Sequence, residues 1–96
     1  MTEAARYTDK SIVSLSGASE VAAVANPKRR ALIVHNSGNA TAGVNILGGT
    51  AVIGGAGTIA FPALSVGIVP FQFDVVPQAA INVIGAAGQP INIFEA

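Results

Sequence analysis

The sequence predicts an all-β domain: a small antiparallel β-sandwich or jelly-roll-like barrel of about eight short strands. Apolar residues alternate with polar ones or form short β-branched runs, and no segment keeps a helical period for the length a stable helix needs. Gly, Pro, Asn and Ser punctuate the chain at intervals of about ten residues, the spacing of sandwiches and barrels. At 96 residues the chain has room for one core only.

The first ten residues, MTEAARYTDK, mix acids and bases and contain no apolar run. They are expected to form a flexible arm, or a strand lent to a neighbour, with Tyr7 as their aromatic contact. The single β-domain is expected over 11–96. SIVSL (11–15) is β-prone and stops at the turn-forming Ser16–Ser19. EVAAVA (20–25) has the best helix propensity in the chain but is too short to stand alone. RALIVHN (30–36) follows Asn26-Pro27. Period-two geometry puts its Leu32 and Val34 on one face, with Ala31, Ile33 and His35 on the other. GVNIL (43–47), GTIAF (57–61), VGIVPFQF (66–73), INVIG (81–85) and INIFE (91–95) complete the set. Three of these share an aliphatic–Asn–aliphatic core, at Val44–Ile46, Ile81–Val83 and Ile91–Ile93. Each Asn should face away from its aliphatic neighbours, where an uncharged amide suits contact with another chain.

Composition limits how such a domain holds together. Cysteine is absent, which removes disulfides and thiolate metal sites, and one histidine with five scattered acids makes a poor structural metal site. Only 10% of residues are charged and the formal net charge is zero, against about 25% charged in typical soluble domains. A small domain with so little charge is expected to associate, covering part of its surface with other subunits. Residues 50–71 are uncharged and long enough for a membrane helix, but Gly54, Gly55, Gly57, Pro62 and Pro70 argue against a helical span.

The candidates for chemistry are few. Gly55-Ala56-Gly57-Thr58-Ile59-Ala60 fits the spacing of a dinucleotide fingerprint. That motif needs a helix to open beneath the pyrophosphate, and Pro62 with the β-prone residues around it leaves no room for one. His35 has no second histidine or nearby acid in sequence and reads as a partly exposed strand residue rather than a base. The acids stand singly, and no serine sits in a G-x-S-x-G elbow. No catalytic, cofactor-binding or metal-binding residue is therefore assigned, and no enzyme activity is expected. The remaining candidate for partner contact is Lys28-Arg29-Arg30, three of the five basic residues; after it the next charged residue is Asp74. Phosphate or nucleic-acid binding would call for a broader basic surface and nearby stacking aromatics. The cluster reads instead as the charged rim of a strand, with a carboxylate on a neighbouring protein as its expected counterpart.

With the strands in place, the chain resembles small structural proteins of tailed bacteriophages. The residues that carry the resemblance are SIVSLSGASEVAAVANPKRRALIVHN, with its Asn-Pro-x-Arg-Arg lead into an aliphatic strand, VNILGGTA, GAGTIAFPALSV and the closing VPQAAINVIGAAGQPINIFEA. They cover roughly 11–96. The resemblance implies a non-enzymatic virion component at the capsid surface or an appendage, made in the host cytoplasm. The chain is expected to act as a homo-oligomer, a trimer, that decorates or cements the head by binding the major capsid protein or another virion protein. The alternative is a tail or head fibre module that recognises a host surface or carbohydrate. Neither reading implies a cofactor, a membrane or a nucleic-acid partner.

Overall fold

The computed structural model describes residues 7–69 and 76–96. Eight strands run in order: β1 (Thr8–Asp9), β2 (Glu20–Ala23), β3 (Leu32–His35), β4 (Ala42–Asn45), β5 (Thr58–Phe61), β6 (Val66–Val69), β7 (Ile81–Ile84) and β8 (Asn92–Glu95). They form two four-stranded antiparallel sheets, ordered β1-β8-β3-β6 and β2-β7-β4-β5. The fold is a small β-sandwich, as the alternation predicts. Leu32 and Val34 of β3 and Ile93 of β8, with Ile91 just before it, meet Ala23, Ala42, Val44, Ile81 and Val83 of the other sheet in a dry core that Leu15 plugs. This is the inward half of each period-two pattern, held by residues whose branched or small side chains fill the space between two pleated surfaces.

Local departures from the expected elements have physical causes. The segment 11–15 makes one isolated bridge, Ile12 to Ile91, instead of a strand. Its polar groups are spent irregularly: the Ser11 hydroxyl accepts the Ile93 N–H at 3.1 Å, and Leu15 N–H donates to the Gln89 carbonyl at 2.8 Å. Thr8 and Asp9 pair with Glu95 and Phe94, so these two arm residues belong to the sandwich of their own chain; residues 1–6 lie outside the described part. EVAAVA, the best helix former, supplies β2, because pairing with β7 outweighs a weak local propensity. Of VGIVPFQF, Val66–Val69 is strand, and residues 70–73 lie outside the described part.

Asn82 and Asn92 take the outward positions expected of them, whereas Asn45 is buried. The segment 46–57 folds back over part of the outer face of the second sheet and covers Gly43 and Asn45 there. Asn45 Oδ1 accepts the N–H groups of Leu47 (2.8 Å) and Gly49 (3.2 Å), and Asn82 Nδ2 donates to the Gly49 carbonyl at 2.6 Å. Two of the three amides expected to meet a neighbouring chain therefore bind a loop of their own. Gly43 makes this close approach possible, since a Cβ there would lie 2.8 Å from Thr58 Cγ2 and 3.3 Å from Ile53 Cγ1.

At the opposite end of the strand order, β5 and β6 are joined by the short turn Pro62–Ser65. The Phe61 ring sits over Gly67, where an added Cβ would come within 2.8 Å of Cε2. The edge strands of the two sheets are thereby held side by side. No helix of the described residues is long and apolar enough to cross a membrane.

Candidate functional site

The basic cluster occupies the turn between β2 and β3. Asn26 Oδ1 accepts the Lys28 N–H at 3.0 Å, and its carbonyl accepts the Arg29 N–H at 3.1 Å. Pro27 supplies the preset φ that the second position of such a turn favours. This turn splits the three cations. Lys28 and Arg30 are exposed, while Arg29 swings inward and is 1% exposed.

Inside, the Arg29 guanidinium is almost fully engaged. Nε donates to Glu95 Oε2 at 2.7 Å; Nη1 donates to the carbonyls of Pro77 (2.7 Å) and Ala79 (2.9 Å); Nη2 donates to that of Val24 (2.9 Å). A planar fork with five fixed donors suits three converging carbonyls and a carboxylate in a way that an ammonium does not. The acid reaches it because Glu95 continues the inward series Ile91, Ile93 along β8. The reading of three exposed cations awaiting a carboxylate on a neighbour is thus corrected at Arg29, whose carboxylate comes from its own chain. Tyr7, half exposed, precedes the β1 residue that pairs with Glu95 and so lies at the same end of the sandwich. Arg30 and the edge of Arg29 line a small cavity of about 250 Å³ with Val76 and Gln78.

A second polar cluster lies at the other end of β3. Asn36, fully buried, donates from Nδ2 to the carbonyls of Ala40 (2.8 Å), Phe61 (2.8 Å) and Pro62 (3.2 Å). Its Oδ1 accepts from Gly38 N–H and from Gln89 Nε2, both at 3.0 Å, and Gln89 Nε2 also reaches the Ala40 carbonyl at 2.8 Å. The two amides tie three loops together. Residues 37–40 and 86–90 line an open, uncharged groove of about 490 Å³ beside them.

The other candidates have ordinary structural settings. His35 lies on the outer face of β3, with Nδ1 3.2 Å from Asn92 Nδ2. The glycine run forms a turn: Gly55 N–H donates to the Val52 carbonyl, Gly57 adopts a positive φ of 78°, and the chain passes directly into β5 rather than a helix. Ser19 Oγ accepts the Ala51 N–H, and Ser65 Oγ donates to the Pro62 carbonyl, so both hydroxyls serve the backbone. Asp9 holds its carboxyl below the usual aspartate value, chiefly through the Ser11 hydroxyl and also through the Ser11 N–H at 2.9 Å. Among the described residues no three His, Asp or Glu side chains gather at a common point. Glu95, Asn36 and Gln89, the residues that organise the two polar clusters, were not among the expected site residues. Continuing the period of two from Ile91 and Ile93 would place Glu95 inward, whereas nothing in the order of residues pairs Asn36 with Gln89.

No protein-family model, curated protein or solved structure matches the chain.

Proposed function

We propose that this protein is a non-enzymatic structural component that works by packing: against copies of itself and against the proteins of a larger assembly. The observation that carries the reading is where its side chains are spent. The densest polar clusters, around Arg29 and Asn36, are turned inward on their own backbone, while Val13, Leu47 and Leu64 are exposed by 73% or more on a surface poor in charge. Apolar groups displayed in this way gain about 25 cal/mol per Å² when another protein covers them. The resemblance to phage structural proteins supplies the setting: a homotrimer that decorates the head and cements it through the major capsid protein. Lys28, Arg30 and Tyr7, all exposed at one end, are the side chains offered to that partner.

Two measurements test this. Sedimentation at micromolar concentration should give an oligomer, and a homogeneous monomer would remove the self-association. Mixing with undecorated capsids should give co-sedimentation, and a protein that stays in the supernatant would remove the decoration role. The fibre reading draws support from the uncharged groove between residues 37–40 and 86–90, whose Ser37 and Asn39 are of the type that bonds sugar hydroxyls. Retention on a glycan array, abolished by Asn39→Ala, would move the function to host recognition.

A further inference from the structure

A β-sandwich has four edge strands, and each presents unpaired backbone N–H and C=O groups that a further strand can complete. Two of the edges here are guarded. β1 is only two residues long, includes the charged Asp9 and is followed by Lys10; β2 opens with Glu20 and shifts register between Val21 and Ala23. Short length, charge and a bulge are the usual ways of blocking edge-to-edge association.

Among the described residues the other two edge strands carry neither a charged side chain nor a register shift. β5 (Thr58–Phe61) pairs only with β4, and β6 (Val66–Val69) only with β3, among the described residues. They lie side by side, joined by the Pro62–Ser65 turn, and display Ile59 (46% exposed), Leu64 (73%) and Val66 (58%). No charged residue occurs between Ala31 and Val69. Leu64 adds an independent sign. It holds φ at +61°, a backbone conformation that favours glycine, yet it carries a large apolar side chain out into the open.

We propose that the β5–β6 flank is where copies of this chain pack together, β5 of one copy beside β6 of the next, so that the contact can close on three copies. The proposal rests on the self-association in the function argued above and adds where it occurs. The occupant follows from charge. A charged partner would lose hydration here and find no counter-ion, and the guarded flank of a second copy would bring Asp9, Lys10 and Glu20 into the contact. A second β5–β6 flank brings apolar side chains and an open backbone edge with no charge to desolvate.

The test uses the full chain and places a lysine at the flank. Ile59→Lys and Val66→Lys should each raise the concentration for half-dissociation by about tenfold or more, because an unpaired ammonium would be buried at the contact. Val21→Lys, on the β2 edge at the far side of the second sheet from β5, should leave association unchanged, and far-UV circular dichroism checks that each variant is folded. Because the natural chain has no cysteine, Ile59→Cys and Val21→Cys each introduce a single thiol, and a short bis-maleimide reports which edges meet. Linking at position 59 but not at 21 supports the flank even where a lysine variant fails to fold. An oligomer that ignores both lysines, or links at 21 and not 59, overturns the flank while leaving self-association standing. A wild-type chain that is monomeric throughout the micromolar range overturns the self-association itself.

Discussion

Replacing Arg29 with methionine keeps the apolar stem of the side chain and removes its five N–H donors. Glu95 then loses the cation 2.7 Å away in a site where its own side chain is only 9% exposed. Breaking a buried ion pair from one side costs about 3–5 kcal/mol. The carbonyls of Val24, Pro77 and Ala79 lose their donor as well, at about 1 kcal/mol each where water does not replace it. The sum, about 6–8 kcal/mol, compares with a total stability of about 5–14 kcal/mol for a domain of this length. Arg29→Met should therefore be unfolded or nearly so, as followed by urea titration of the far-UV circular dichroism. Adding Glu95→Leu removes the stranded carboxylate and should recover about half of the loss, leaving mainly the three carbonyls unpaired. A cost below about 2 kcal/mol for Arg29→Met would refute this account, as would a double variant less stable than the single one.

Three further substitutions probe other parts of the fold. Gly38→Ala places a Cβ on the Gln89 side chain, 2.6 Å from Cδ, and should cost about 1–3 kcal/mol in urea unfolding; Gln89→Ala in the same chain should return part of it. Leu64→Gly relieves the positive φ and should raise the melting temperature of the dissociated chain, by about 0.5–1 kcal/mol of stability, while weakening association if the β5–β6 flank is the contact. Ser11→Ala removes the hydroxyl that chiefly lowers Asp9 and should move its carboxyl toward the ordinary 3.8 in an NMR titration. Since the folded-state value lies below the unfolded one, Asp9 stabilises the fold above the unfolded value and loses that contribution as pH falls through the folded one. The variant should narrow that acid window.

The strands were readable because they obey local rules. Leu32 and Val34, Ile81 and Val83, and Ile91 and Ile93 all face inward on the period of two. EVAAVA was ambiguous because its propensity is helical and only the neighbour β7 decides its conformation. Asn45 shows a different limit: its strand pattern sends it outward, and it is buried by a loop whose path no local signal encodes. The basic cluster was visible but its division was not. An Asn-Pro turn can be read from the residues, yet which of the following cations points inward depends on where three carbonyls and Glu95 converge, and Val24 and Glu95 are 71 positions apart.

Strand register explains why the two inward polar clusters sit where they do. β3 and β8 pair Leu32 with Glu95 and Val34 with Ile93. A slip of one residue would turn the aliphatic side chains out to solvent and is forbidden by the core. A slip of two would not: it keeps every inward residue inward, and Leu32, Val34, Ile91 and Ile93 are close enough in size to exchange places at modest cost. What opposes it is polar. Arg29 precedes β3 and bonds Glu95 at the end of β8; Asn36 follows β3 and is bonded by Gln89 ahead of β8. A two-residue slip displaces each partner by about 6.6 Å, which breaks both pairs and strands a buried charge. The hydrophobic pattern thus selects a face, and the paired clusters at the two ends of the same strand pair select one register. That division gives a domain without disulfides a single strand register.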